Sequence, residues 1–271
     1  MLLSKEVWAT HITCLNDQTE FRYAVELLRD IIKAHKDPKL DADTHWLSDH
    51  VTELLKDDGA DFSYFFVFCA SEVDDDLSQW RAYSDGEGGV SVALDAAALL
   101  QPNVANTPRL APVCYREETQ RWLAAAIGGQ TFAFFREGLE KRRRYGVTRE
   151  QWAASFLPVW REKILEFAPM LKDKAFKAER EWRLIIRLSP TELERLRLKQ
   201  RRSLISRHLP LKFGDKLPIK GVRIGPCRHP SISRASVWTA LEAQKYPMAD
   251  DEEDDRALVT VKRSEVPFQV P

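Results

Sequence analysis

"FKAEREWRLIIRLSP", residues 176–190, is the stretch on which the reading of the chain turns. Side chains two apart on a strand share a face. A strand here therefore puts Trp182, Leu184, Ile186 and Leu188 on one apolar side, turned into a core. Glu179, Glu181, Arg183 and Arg187 fall on the other side with Ile185. Two carboxylates on one strand face repel each other unless a cation stands beside or opposite them, and Arg183 can be that cation. From these residues alone, the polar side reads as an ion-pair ladder on the wet face of a half-buried strand.

The neighbouring segments supply the rest of a sheet. "FSYFFVFCAS" (62–71) is apolar on both faces, which predicts a central strand covered on two sides. "EVWATHITCLND" (6–17) reads as a short strand running into a turn, and "GGVSVALD" (88–95) alternates Val90, Val92 and Leu94 against Ser91, Ala93 and Asp95. "GVRIGPC" (221–227) and "ALVTVKRSEVP" (257–267) are further short strands. Helices lie between them. Asp17 with Glu20 makes a capping box for a helix to about His35, with Phe21, Ala24, Val25, Leu28, Ile31 and Ile32 at helical spacing. "HWLSDHVTELLK" (45–56) turns Trp46, Val51, Leu54 and Leu55 inward. From Glu117 to Leu171 two helical segments are separated near "RYGVT", where Gly146 ends one and Thr148 caps the next. "TELERLRLKQRRSL" (191–204), opened by Thr191 and Glu194 as a capping box, reads as a helix, as does "SRASVWTALEAQKY" (233–246). "MADDEEDD" (248–255) reads as a solvated acidic loop. The expected fold class is α+β: a mixed, mostly antiparallel central sheet with a helical insertion at about 117–171, in one domain spanning residues 1–271.

Composition narrows the function classes. Hydrophobic residues at 44% and charged residues at 30% place the chain among globular proteins rather than disordered ones. Basic and acidic residues balance at 41 each, so no net field draws the chain to nucleic acid or to a membrane. The apolar runs are too short to span a bilayer and no signal peptide is evident, which predicts a cytoplasmic protein. Cys14, Cys69, Cys114 and Cys227 lie far apart without a CxxC pair, and the six histidines form no spaced set, so neither a disulfide framework nor a metal site is expected. Phosphate-loop, nucleophile-elbow, HExxH and GxGxxG signatures are absent. "DGEGG" (85–89) precedes a strand and reads as a hairpin turn, since phosphate cradles sit before helices.

Three places could carry chemistry. Asn16 and Asp17 sit at a turn between strand and helix, where an N-cap is the commoner meaning. In "SQWRAY" (78–83), Trp80, Arg81 and Tyr83 are either structural anchors or a stacking and anion-holding set. The third place is the pair Glu179 and Glu181 with Arg183. The basic stretches "EKRRRYG" and "RLRLKQRRS" fit a solvated helix face or a nucleic-acid patch.

"VWATHITCLNDQTEF", "FCASEVDDDLSQWRAYSDGEGGVSVALD", "FKAEREWRLIIR" and "LPIKGVRIGPC" follow one another in an order that resembles the bacterial family called domain of unknown function 2971. That family pattern is in turn similar to the ADP-ribosyltransferase fold. The resemblance implies NAD as substrate, cleaved through an oxocarbenium-like transition state, with a protein or nucleic acid as macromolecular acceptor, no metal and no membrane. It implies Glu181 as the charge-stabilising glutamate, Glu179 beside it, Tyr83 as the nicotinamide stack and Arg81 as a phosphate ligand. Trp80, Asn16 and Asp17 would shape the site. A bacterial toxin or anti-phage effector is the activity implied; a silent nucleotide- or protein-binding module and a nucleic-acid-processing protein are the alternatives. The family pattern also begins with a strand bearing a His-Tyr-Thr-like run, expected before "MLLSKEVWAT", and His11 does not replace it.

Overall fold

The computed structural model describes residues 5–15, 19–34, 42–54, 64–84, 88–201, 204–249 and 258–267. Among them the order is β1 (Val7–His11), α1 (Thr19–Ala34), α2 (Ala42–Leu54), β2 (Phe65–Ser71), α3 (Leu77–Tyr83), β3 (Val90–Leu94), β4 (Arg109–Pro112) and α4 (Glu117–Arg143). Then come α5 (Arg149–Phe167), β5 (Glu181–Arg187), β6 (Arg197–Arg201), β7 (Leu204–Leu211), β8 (Ile219–Ile224), α6 (Pro230–Ala243) and β9 (Thr260–Arg263). The class is mixed α+β with a mostly antiparallel sheet. The chain forms two compact units. One holds Met1–Thr10, Phe66–Ala111 and Ala178–Pro271; the other holds His11–Phe65 and Pro112–Lys177, so the helical insertion shares its unit with the first two helices. No helix of the described residues is long and apolar enough to cross a membrane.

The first unit carries two sheets. Six strands run in the order β4-β5-β2-β1-β7-β6, and three in the order β3-β8-β9. β7 pairs antiparallel with both β1 and β6, while β8 pairs antiparallel with β3 and parallel with β9. Alternation builds the core between them. Val7, Ala9, Phe66, Leu184, Ile186, Leu188, Leu209 and Leu211 from the large sheet meet Ile219, Val222, Ile224 and Val261 from the small one. Phe65, Phe66 and Val67 are buried, as expected of a strand covered on two sides, but Cys69 and Ser71 in the second half of β2 are exposed; β2 lies third in its sheet.

The second unit is helical. Leu28 and Ile32 of α1, Leu47 and Val51 of α2, Ala124, Phe135 and Leu139 of α4, and Ala153 and Trp160 of α5 form its core. α4 ends where Gly146 takes a left-handed φ of 74°. α5 then starts on a reciprocal cap: Thr148 N–H donates to Gln151 Oε1, and Gln151 N–H to Thr148 Oγ1.

Three expectations are corrected. The polar side of β5 is not a wet face: Glu181, Arg183 and Ile185 are buried along with Leu184 and Ile186. Glu179 does not share that face, because it closes a 3-10 turn (Lys174–Glu179) and Arg180, with φ of 44°, interrupts the alternation before β5 begins. The described residues of 191–204 do not form an α-helix. A Ser189–Glu192 capping box holds only a 3-10 turn, Pro190–Arg195, after which the chain extends as β6 against β7. The ladder hydrogen bonds along β7 outweigh the helical propensity of this Leu/Arg/Glu-rich segment. Most of "DGEGG" falls outside the described residues; helix α3 ends before it, and β3 beyond it takes its partner from β8. Asn16 and Asp17, with the capping box built on Asp17, lie outside the described residues, as do Asp85, Gly86 and Glu87.

Candidate functional site

The best-built polar group in the first unit is the start of β5. Glu181 and Arg183 alternate with core residues Leu184 and Ile186, so both project from the sheet face turned away from the smaller sheet. Arg183 Nε donates to Glu181 Oε1 at 2.8 Å and its Nη2 to Oε2 at 2.9 Å, a two-pronged pair. The side chains are 2% and 7% exposed. At that burial neither charge can be removed cheaply.

Glu72, just past β2, fixes the backbone around Glu181. Its N–H donates to the Arg180 carbonyl at 3.1 Å. Its carboxylate accepts from Arg180 Nη2 at 3.0 Å and from Trp182 Nε1 at 2.7 Å. The residues on both sides of Glu181 are therefore tied to one anchor. The Trp182 hydrogen bond and then the Arg180 guanidinium hold the Glu72 carboxyl below the usual carboxylate range. These bonds offset the cost of Arg180's left-handed backbone, about 1 kcal/mol for a non-glycine residue. Glu179 contributes its backbone here: its carbonyl accepts from Ser71 Oγ at 2.8 Å.

The aromatic–arginine cluster of α3 is divided by the helix. Asp76 caps it, accepting from Ser78 N–H at 2.8 Å and Gln79 N–H at 3.2 Å. Trp80 is buried, with its ring against Gly225, where a Cβ would come within 2.8 Å of Cε3. Its Nε1–H donates to Asp75 Oδ1 at 2.8 Å. Arg81 and Tyr83 project outward and are exposed. Asp75 also accepts from Ser264 Oγ at 2.6 Å and the Glu265 N–H at 2.7 Å. Trp80 is thus an anchor, whereas Arg81 and Tyr83 remain open to solvent.

A second polar group occupies the same face of the large sheet. Ser206 Oγ donates to the Lys199 carbonyl at 3.0 Å, which commits its one proton. It must then accept from His208 Nε2–H at 2.7 Å, leaving Nδ1 to accept from Thr10 Oγ1 at 3.2 Å. β2 lies between β5 and β1, and both β2 and β1 lie between β5 and β7, so at ordinary strand spacing Thr10 is at least about 9 Å and Ser206 and His208 at least about 14 Å from the β5 pair. They are two groups, not one.

Among the proposed residues, the fold brings Glu181 and Arg183 together and places Glu179, Trp80, Arg81 and Tyr83 elsewhere in the same unit. Sequence reasoning missed Glu72, Asp75 and the Thr10–His208–Ser206 relay. Only the alternation of "ISRHLPL" gave a signal, since it sets Ser206 and His208 on one face. No set of histidine, cysteine and acidic residues among those described could hold a metal ion.

No curated protein and no solved structure matches the chain. The model of the family described as "Protein of unknown function (DUF2971)" matches residues 79–184, a stretch that holds both Gln79–Tyr83 and the Glu181–Arg183 pair, so over that stretch the chain is similar to that family.

Proposed function

We propose that this chain is an ADP-ribosyltransferase-like, NAD-consuming protein of the bacterial cytoplasm, a toxin or anti-phage effector that modifies a protein or nucleic acid or destroys NAD itself. The observation that carries this reading is the preorganisation of Glu181. Arg183 holds its carboxylate by both oxygens, and Glu72 ties down the residues on either side. A carboxylate fixed before substrate arrives stabilises an oxocarbenium-like charge without reorganising at the moment of reaction. In this reading Glu181 faces the ribose and Arg183 orients it, while Tyr83 and Arg81, exposed on α3, take the nicotinamide ring and a phosphate.

The same bidentate pair also favours a second reading, a non-catalytic nucleotide- or protein-binding module, because the guanidinium already occupies both oxygens of Glu181. Nicotinamide release from NAD, with and without a cell extract as acceptor, and calorimetric NAD binding separate the two. The enzyme reading expects turnover by the wild type and a loss of roughly 100-fold or more in Glu181→Gln, the scale of one electrostatic contact in a transition state. The variant's circular dichroism shows whether it is folded. Tyr83→Ala, on an exposed position, is expected to raise KM without unfolding anything. Equal turnover by folded Glu181→Gln overturns the glutamate assignment. NAD binding without turnover selects the binding module, and neither binding nor turnover overturns both.

A further inference from the structure

Helix α4 turns outward a face that is apolar or small from Trp122 to Ala133 and charged beyond it. Its inner face buries Gln120, Ala124, Gly128, Thr131, Phe135 and Leu139. At about 100° per residue the opposite face carries Trp122, Ala126, Gly129 and Ala133, followed by the exposed Glu137 and Glu140, between Glu118 at one end and Arg144 at the other. Trp122 is 68% exposed, and Phe134 on the flank is 67% exposed. Gly129 costs the helix about 1 kcal/mol against alanine. Among the described residues nothing lies within 4 Å of a Cβ built there, so packing inside the unit does not call for a glycine.

We propose that this face is a self-association surface, on which a second copy of the chain packs its α4 antiparallel to the first with Gly129 of one helix against Ala133 of the other. The charges argue for a second copy rather than an unrelated partner. Eleven residues back from Gly129 is Glu118, and eleven on from Ala133 is Arg144, so this register sets Glu118 of each copy against Arg144 of the other. Neither residue forms an ion pair among the described residues. Two-fold symmetry makes the pairing twice, as a self-complementary interface requires. A parallel arrangement would set like charges together. In the antiparallel register Trp122 of one copy also approaches the turn bearing Arg136 and Glu140 of the other, where a guanidinium can lie over its indole. The glycine and the small residues beside it allow close approach of the two helices.

Sedimentation equilibrium of the full chain across a wide concentration range tests this without reference to any activity. The mass is expected to rise from one chain to two. Glu118→Arg and Arg144→Glu should each weaken the dimer by about tenfold, since each swap turns two attractions into repulsions. The double variant Glu118→Arg/Arg144→Glu should restore it, and Trp122→Ala should weaken it without altering the monomer's circular dichroism. A single-chain mass at the highest concentration overturns the proposal. So does a dimer indifferent to the swaps, or one that the double variant fails to restore.

Discussion

Arg183→Met tests whether the β5 pair is the polar keystone its geometry describes. The substitution keeps an unbranched side chain of similar reach and removes the guanidinium. It leaves Glu181, at 7% exposure, without the two donors at 2.8 and 2.9 Å. Two hydrogen bonds to a charged group contribute about 1.5–3 kcal/mol each. Stranding one member of a buried ion pair costs about 3–5 kcal/mol. Both routes give a loss of roughly 3–5 kcal/mol, a large share of what a domain of this size has to lose. Removing both charges, in Arg183→Met with Glu181→Gln, leaves only a neutral amide to satisfy, at about 1–3 kcal/mol. The double variant should therefore be more stable than Arg183→Met alone. Because the chain has two compact units, hydrogen exchange read by mass spectrometry on peptides covering β5 and β2 is the suitable assay, as it reports opening free energies segment by segment. A loss under about 1 kcal/mol in Arg183→Met, or a double variant that loses the sum of the two singles, would refute the reasoning.

Two further expectations follow from the geometry. Gly138→Ala, despite a gain in helix propensity, should cost about 1–3 kcal/mol. The new Cβ would lie 2.5 Å from Trp152 Cζ2, and that indole is held by its N–H to the Phe135 carbonyl at 3.0 Å and by Arg142 over its ring; unchanged exchange in α4 and α5 would show that the ring moves freely. Asp75→Asn should remove part of the pH dependence of stability. Burial raises the Asp75 carboxyl, but hydrogen bonds from Ser264, the Glu265 N–H and Trp80, together with the charge of Arg223, more than reverse this and hold it below its ordinary value. With the folded value depressed, its contribution is present above the unfolded pKa of about 3.9 and is lost as pH falls through the folded value. The melting temperatures of wild type and variant should differ at pH 7 and converge below about pH 4; a constant gap across that range would count against the assignment.

How much of this could be read from the chain depends on how far apart the deciding partners lie. The apolar side of β5 was legible because Leu184, Ile186 and Leu188 repeat with the period of a strand, and that period fixes which side chains share a face. Period says nothing of what covers the second face, so the same alternation that located Glu181 and Arg183 also made them look wet. Glu179 was misassigned for a local reason: Arg180 adopts a left-handed backbone with no glycine to announce it, and the alternation breaks there. The anchor that makes this conformation affordable, Glu72, lies on a different strand's end, and nothing in "CASEVDDD" sets it apart from the acids that follow. Trp80 repeats the lesson. Whether it stacks a ligand or fills a core depends on Gly225, whose missing Cβ admits the indole, and on Asp75, which takes its N–H. Residues 191–204 were ambiguous in kind, since leucines among arginines suit either a helix or an edge strand until β7 supplies a ladder. In each case sequence names the residues able to do chemistry, and a contact distant in sequence decides whether they are spent on structure. Arg81 and Tyr83 are exposed beside the buried Trp80, so the period that set the three together in one helix did not give them one environment.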